Sequence, residues 1–473
     1  MPNFREYNHE QGFFCTLIPD KILEEDHPAR IISLVVENMD LENLYLCYSE
    51  EGNSSYHPKM MLKVLFYGYY DGTFSGRKIQ NNLTEKASYI YLSGNQVPDF
   101  RTINNFRVRH LDIIPELFTQ IVFLCVKLGM VDFKYLAVDG QKIHANASLR
   151  KSYNLERLEK RYDKIVKGLW KLIENEIIEP EEKIKDEKRI KKLKEEKKKL
   201  EDLKRTLKKF QKKGKEENTN ITDKNAKVMK FKDSTFKPAY NHQSAVDGLF
   251  GITTAVETTQ NNDLAEDLKP LVKKSVSNTQ SNHENVLGDC AFNNYENIEE
   301  LLSDKNKEKY FVPDRQFERE ENGEKGKYDL SKFVIKDSET VFCPEGKKMK
   351  KIQKKYYNGY RNYIYEGLEC GSCLNRPECT SGNKRIIEID GRMKSRDKMR
   401  ERLKSDEGKK IYSKRKEIIE NLHGNDQKNK KWTQHLLRGI KKAEIEFMLI
   451  RIGSNLGKII RYRSNELLAM MSC

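Results

Sequence analysis

Two aspartates in this chain each follow a short apolar run. Asp139 ends Tyr135-Leu136-Ala137-Val138 in "YLAVDGQKIHANAS", and Asp289 follows "NVLG" in "NVLGDCAFNNYEN". Open α/β sheets bind ligands at the carboxyl ends of their strands, so two strand-end carboxylates are candidates for one site. Each alone also reads as a turn or cap residue. Clustered acidic oxygens are what two-metal phosphodiester chemistry needs, around ions roughly 3.5–4 Å apart. Hard Mg²⁺ takes a few carboxylates and keeps positions for water and phosphate oxygens. A third acid is required, and Glu420 in "KRKEIIENLHG" is the best candidate. It lies on an expected helix with Arg415 and Lys416 about one turn away, placed to meet phosphates. Glu417 on the same helix is the alternative.

A second constellation is Cys343, Cys370, Cys373 and Cys379 in "CPEGKKMK…LECGSCLNRPECTSG". A Cys-x₂-Cys pair with flanking cysteines suits a tetrahedral Zn²⁺ knuckle, and unliganded reduced thiols in a loop are the alternative. Cys15, Cys47, Cys125, Cys290 and Cys473 are scattered and read as buried or incidental. His144, Tyr240 and His242 read as polar strand residues, with a metal ligand or base as the alternative. Trp170 reads as packing on a helical stripe, and Trp432, after the basic "DQKNKK", as a candidate for stacking on a base.

The elements that must hold these residues follow from period and punctuation. Residues 1–130 read as an all-α domain, with helices opening at "HPARIISLVVENMDL", "HPKMMLKVLFYGYYDG" and "VPDFRTINNFRVRHL". The last of these carries Arg101, Arg107 and Arg109. It is either part of a helix-turn-helix-like DNA reader or the solvated face of an ordinary bundle. Residues 131–150 hold the first strand of the core. Residues 151–235 include Leu193, Leu200 and Leu207 at heptad spacing, with Leu203 and Phe210 on the same stripe and Leu172 and Ile173 before Pro180. They read as a basic helical hairpin or short coiled coil turned near Pro180, then a polar linker. Its lysines either track phosphates or solvate the helix.

Residues 236–304 return to the core, with a hairpin turn at Asp247-Gly248, a helix at "LAEDLKPLVKKSV", and another helix beginning near Asn294. Residues 305–395 read as an irregular, basic, Cys-rich insertion. Residues 396–473 are helical again and carry Lys428. Strands separated by helices around a helical insertion make an α/β core.

Bulk properties narrow the partners. The net charge of +16 favours a polyanion through counterion release, or reflects lysine placed wherever it is tolerated. Charged residues make up 34% against 37% apolar, so part of the 473-residue chain must be solvated helix. No apolar run approaches the ~18–20 residues of a membrane span. The opening "MPNFREYNHEQGFF" lacks the layout of a signal peptide, so a cytosolic protein with reduced cysteines is expected.

Taken together, these motifs resemble a family. "YLAVDGQKIHANAS" is similar to the first-aspartate motif (DGTKI-x-ANAS-like) of a group of DDE transposases from bacterial insertion sequences. "FKPAYNHQSAVDGLFGITTAVETTQNND" resembles that group's GYN-x-Q-x-AVD segment, "NVLGDCAFNNYEN" its second-aspartate motif, and "YSKRKEIIENLHG" its third-acid segment. "FREYNHEQGFF", "HPKMMLKVLFYGYYDGTFSGRKIQNNL" and "VPDFRTINNFRVRHL" resemble its N-terminal helical domain, in collinear order. The chain departs from the pattern at Gly288, Cys290 and Phe292 around the second acid. It departs again at His423-Gly424, and at Gln427 with Lys428 adjacent, after the third.

The resemblance implies an α/β ribonuclease-H-like core, interrupted by helical and Cys-rich insertions and preceded by the all-α domain. It implies Asp139, Asp289 and Glu420 as a DDE triad holding two Mg²⁺ ions, with Mn²⁺ able to substitute. The implied activity is cleavage and strand transfer through a 3′-OH. The implied partners are terminal inverted repeats and target DNA, bound by a homo-oligomer in the bacterial cytoplasm at the nucleoid. Arg101, Arg107, Arg109, Arg415, Lys416 and Lys428 are the candidate DNA contacts. The alternative is a catalytically inactive DNA-binding derivative of such an enzyme.

Overall fold

The computed structural model describes residues 21–471 except 22, 49–54, 175–179, 212–217, 262–263, 265–266, 295–296, 316, 318–325, 337–338 and 358–359. The segment "FREYNHEQGFF", Cys15 and Cys473 lie outside the described residues. So do the side chains of Trp170, Leu172, Ile173, Phe210 and Glu420. The chain divides into two compact units, Met1–Ile121 with Met448–Cys473, and Val122–Phe447.

In the first unit the described elements are helices: α1 (Pro28–Glu37), α2 (Glu42–Tyr45), α3 (Pro58–Tyr70), α4 (Gly76–Glu85), α5 (Ala87–Ser93) and α6 (Phe100–Arg109). His27 and His57 cap α1 and α3, each imidazole accepting from the amide two residues on. A proline follows each cap, at a first-turn position where a missing N–H costs nothing. Asp99 caps α6 by accepting from the Thr102 amide at 2.6 Å. Gly94, at φ 58°, ends α5 in the left-handed conformation that glycine adopts freely. The C-terminal helix Ile440–Met471 contributes its later turns to this unit. There Gly453 lies so close to α3 that a Cβ would stand 2.5 Å from the Tyr69 carbonyl carbon.

After α7 (Ile114–Lys127), the second unit is built on a mixed sheet. Strand β1 (Tyr135–His144) is central. On one side it pairs antiparallel with β5 (Phe236–Asp247), from Leu136 opposite Asp247 to His144 opposite Ala239. Strand β5 in turn pairs with β4 (Lys227–Lys230) and β6 (Thr253–Thr259), the latter through the turn after Asp247. On its other side β1 pairs in parallel with β7 (Asn285–Leu287), which pairs in parallel with β8 (Lys309–Phe311). The crossovers carry α10 (Leu268–Thr279) and the short α11 (Ile298–Leu301), which begins later than Asn294.

Between β1 and β5 the chain runs through β2 (Ser152–Tyr153), α8 (Leu155–Glu174), α9 (Pro180–Gln211) and β3 (Thr219–Asn220). Leu158, Ile165 and Leu169 of α8 meet Leu200, Leu203 and Leu207 of α9 in one buried seam. Arg161–Glu196 and Lys204–Glu159 ion pairs flank it.

Residues 305–395, read from sequence as irregular, instead contain a five-stranded antiparallel sheet. Its strands are β9 (Val334–Ile335), β10 (Val341–Phe342), β11 (Lys348–Tyr357), β12 (Tyr360–Gly367) and β13 (Ile386–Ile389). Most of these strands are short, and the longest, "KMKKIQKKYY", is too lysine-rich to show an apolar alternation. The small core beneath them comes from Phe333, Val341, Met349, Tyr365, Ile387 and Ile389. Helices Met393–Lys404 and Asp406–Gly424 then return to the main sheet.

Candidate active site

Asp139 lies inside β1, not at its end as its sequence suggests. The reason is the long antiparallel pairing with β5, which carries β1 on to His144. What ends near Asp139 is the parallel partner. Strand β7 pairs Tyr135–Asn285, Leu136–Val286 and Ala137–Leu287, then stops. Asp289 follows two residues past the last β7 pair and Asp139 two residues past the same pair on β1, so the two acids leave the paired strands at the same level. Leu136, Ala137, Val138, Val286 and Leu287 are all fully buried, so both backbones are clamped just before the acids emerge.

Each carboxylate is then oriented locally. The Gly140 amide donates to Asp139 Oδ1 at 2.8 Å, and the Ala291 amide donates to Asp289 Oδ1 at 2.9 Å. Arg415, on the 406–424 helix, ties them together. Its Nη2 lies 3.4 Å from Asp139 Oδ1 and 3.7 Å from Asp289 Oδ2. The helix is seated by Ile419 and Leu422 against Ala137 and Val246, and by the Tyr412 hydroxyl, which donates to the Gly288 carbonyl at 3.3 Å. The sequence singled out Arg415 but not Tyr412. The signal was available, since positions three apart share a helical face.

Glu420 belongs to this helix, five residues past Arg415 and so about 140° around the axis. Glu417 is exposed and pairs with Lys414 at 2.9 Å. Among the described residues, no three His, Cys, Asp or Glu side chains form a group able to hold a metal ion. The two aspartates do fit a hard divalent cation in kind, being oxygen donors already gathered around one positive charge.

The remaining candidates divide clearly. Arg101 and Arg109 are exposed, as are Lys416 and Lys428. Arg107 is only 1% exposed, and its guanidinium bonds the Tyr69 hydroxyl, the Phe74 carbonyl and the Asn104 side chain. The expectation that it contacts DNA is therefore corrected: three internal acceptors hold it in the helical core. Trp432 is likewise corrected from a base-stacking candidate to a core residue, 2% exposed and stacked on Phe447. Around it lies a buried chain that the sequence did not reveal. The imidazoles of His242 and His435 meet at 2.7 Å, and Glu446 accepts from the Leu436 and Leu437 amides.

In the small sheet Cys343, Cys370, Cys373 and Cys379 line a single cavity of about 30 Å³. The Arg385 amide donates to Cys370 Sγ at 3.4 Å. Burial, with the other three cysteines adding to it, pushes the Cys379 thiol above its usual value, although Arg385 opposes this.

Two segments of the chain match known families. Residues 342–460 match a transposase DDE domain, and residues 18–109 match the transposase domain DUF772. These matches indicate a DDE transposase of the insertion-sequence type. The transposase DDE match spans the cysteine cavity and the Arg415 helix, whereas Asp139 and Asp289 lie outside both matched segments. No curated relative and no solved structure matches the chain. A transposase DDE domain implies a ribonuclease-H-like core, and transposases of this family act on DNA and generally use divalent metals such as Mg²⁺. Among the described residues, no helix is long and apolar enough to cross a membrane.

Proposed function

We propose that the chain binds the ends of an insertion sequence and, with Mg²⁺, cuts the DNA and joins the freed 3′-OH to a target. The observation that carries this reading is the contact that Asp139 and Asp289 share with Arg415, just past the end of the β1–β7 pairing. Bound divalent ions would supply a sharpened nucleophile and a steadied leaving oxygen. The protein's own part is positional. Gly140 and Ala291 hold the two carboxylates, Tyr412 and the apolar face of its helix hold Arg415, and Arg415 keeps a positive charge where a scissile phosphate would sit.

Glu420 is proposed as the third acid, with Glu417 as the alternative on the same helix. Arg101, Arg109, Lys416 and Lys428 are proposed as surface contacts to DNA, acting in a homo-oligomer assembled on the paired ends. The deciding experiment is strand cleavage of terminal-inverted-repeat DNA with Mg²⁺, comparing wild type with Asp139→Asn, Glu420→Gln and Glu417→Gln. Loss in the first two and retention in the third supports the triad. Equal activity of wild type and Asp139→Asn overturns the mechanism. Cleavage by none of the proteins, with end binding intact, points to the inactive DNA-binding alternative.

The four cysteines line one cavity without forming a metal-holding group as they stand, and they are proposed to close around one structural Zn²⁺ when it binds. Two turns and a short helix deliver them to one cavity, and an amide already donates to one sulfur. Metal analysis of the purified chain should find about one zinc per molecule. None would overturn the proposal.

A further inference from the structure

Beyond Asp139, where β1 runs on to His144, a cleft of about 830 Å³ opens in the second unit. Its lining includes Lys142, Lys151, Lys237 and Arg438, and no Asp or Glu. Three of the cations are held in place, and Lys151 is exposed. Lys142 Nζ donates to the Lys230 carbonyl at 3.0 Å. Arg438 donates through Nε to the Asn146 carbonyl and through Nη2 to Asn146 Oδ1, at 3.0 and 3.1 Å, and Nη1 takes part in neither bond. Lys237 sits over the Phe231 ring at 5.2 Å, with Asp233 3.6 Å from its ammonium at the exposed rim. The floor is fixed by the His435 amide, which donates to the His144 carbonyl at 2.9 Å.

Four cations around one concave surface, with no acid in the lining, make a built anion site. An extended cleft of this charge suits a run of phosphates better than a single one. The aromatic face of Phe231 suits a sugar or base alongside them. Ile143, in the lining, lies four residues from Asp139 on the same face of β1, about 13 Å along the strand, and Lys142 reaches the cleft from the other face. We propose that this cleft holds the sugar-phosphate backbone of a DNA strand that extends from the Asp139–Asp289 pair. The proposal rests on the transposase reading for the identity of the polyanion.

The test is fluorescence anisotropy of a labelled 20-nucleotide strand and of its duplex, in EDTA, as a function of salt. The proteins are wild type, Lys151→Gln/Lys237→Gln and Lys151→Gln/Arg438→Gln. Each double variant should bind about tenfold or more weaker. Its log–log salt slope should fall by about 1.4 for the single strand and 1.8 for the duplex, since each phosphate contact contributes ~0.7 or ~0.9. The probe that shows this loss identifies which form of DNA occupies the cleft.

The lysine pair leaves the Arg438–Asn146 bonds intact, so a loss in that variant with unchanged circular dichroism is not a folding defect. Folded double variants with wild-type affinity and slope for both probes overturn the cleft proposal, whatever the protein cleaves. Cleft-dependent binding without any Mg²⁺-dependent cleavage leaves the cleft standing and removes the catalytic reading instead.

Discussion

Replacing Arg415 with glutamine should weaken the metal-free protein and strengthen its response to divalent ions. The guanidinium lies 3.4 and 3.7 Å from two carboxylates, with side chains only 14%, 19% and 29% exposed. At an effective dielectric of ~20, each contact is worth about 4 kcal/mol before desolvation, which cancels much of it. Removing one partner of a largely buried pair costs ~3–5 kcal/mol. The partial exposure of Asp289 brings the cost below that range, so about 2–3 kcal/mol is expected in EDTA. A divalent cation brings two charges to the same carboxylates. Millimolar Mg²⁺ should therefore recover most of the loss, and Mn²⁺, followed by electron paramagnetic resonance, should bind about tenfold tighter than to wild type, a difference of ~1.4 kcal/mol. Arg415→Lys keeps the charge without the fork and should fall between the two. Calorimetry in EDTA and in Mg²⁺ makes the comparison. Equal stability of wild type and Arg415→Gln in EDTA, or a loss that Mg²⁺ leaves untouched, would refute the idea that Arg415 and the metal share a site.

Arg107→Met should destabilise the helical unit by about 2–3 kcal/mol through its three lost bonds, read by denaturant unfolding, while Arg101→Ala leaves stability unchanged and weakens DNA binding. Gly453→Ala should cost ~1–3 kcal/mol in the same assay, because its Cβ meets α3 backbone that cannot rotate away. Burial alone would raise the Asp314 carboxyl, but Arg400, bonded to both oxygens at 2.6 and 2.7 Å, holds it below its usual value. Its contribution is thus full above the usual value and lost as pH falls through the lower folded one. The stability gap between wild type and Arg400→Met should be present above the usual aspartate range and shrink as pH falls below it. A gap that stays constant to the acid limit would contradict the assigned pair.

What the sequence revealed and what it concealed divide along a physical line. Asp139 and Asp289 stand out in the sequence because each follows an apolar run, but the chain stays buried past Asp139, at Gln141, Ile143 and Ala145. The level that the two acids share was not legible. It depends on how many residues β7 pairs with β1, a property of both strands and of neither alone. The same limit explains Arg107 and Trp432. Both stand in basic stretches that read as surface, yet three acceptors from α3, the following loop and α6 itself draw Arg107 inward, and Phe447 with two histidines draws in Trp432. It also explains the cleft. Lys142, Lys151, Lys237 and Arg438 are spread over nearly three hundred residues, and no local pattern sets them apart among the chain's 88 lysines and arginines. Only the antiparallel return of β5 beside β1, with the 433–438 segment laid across their ends, gathers them on one side of Asp139. Charge composition pointed to a polyanion. The sheet determines which of those charges face the same cleft.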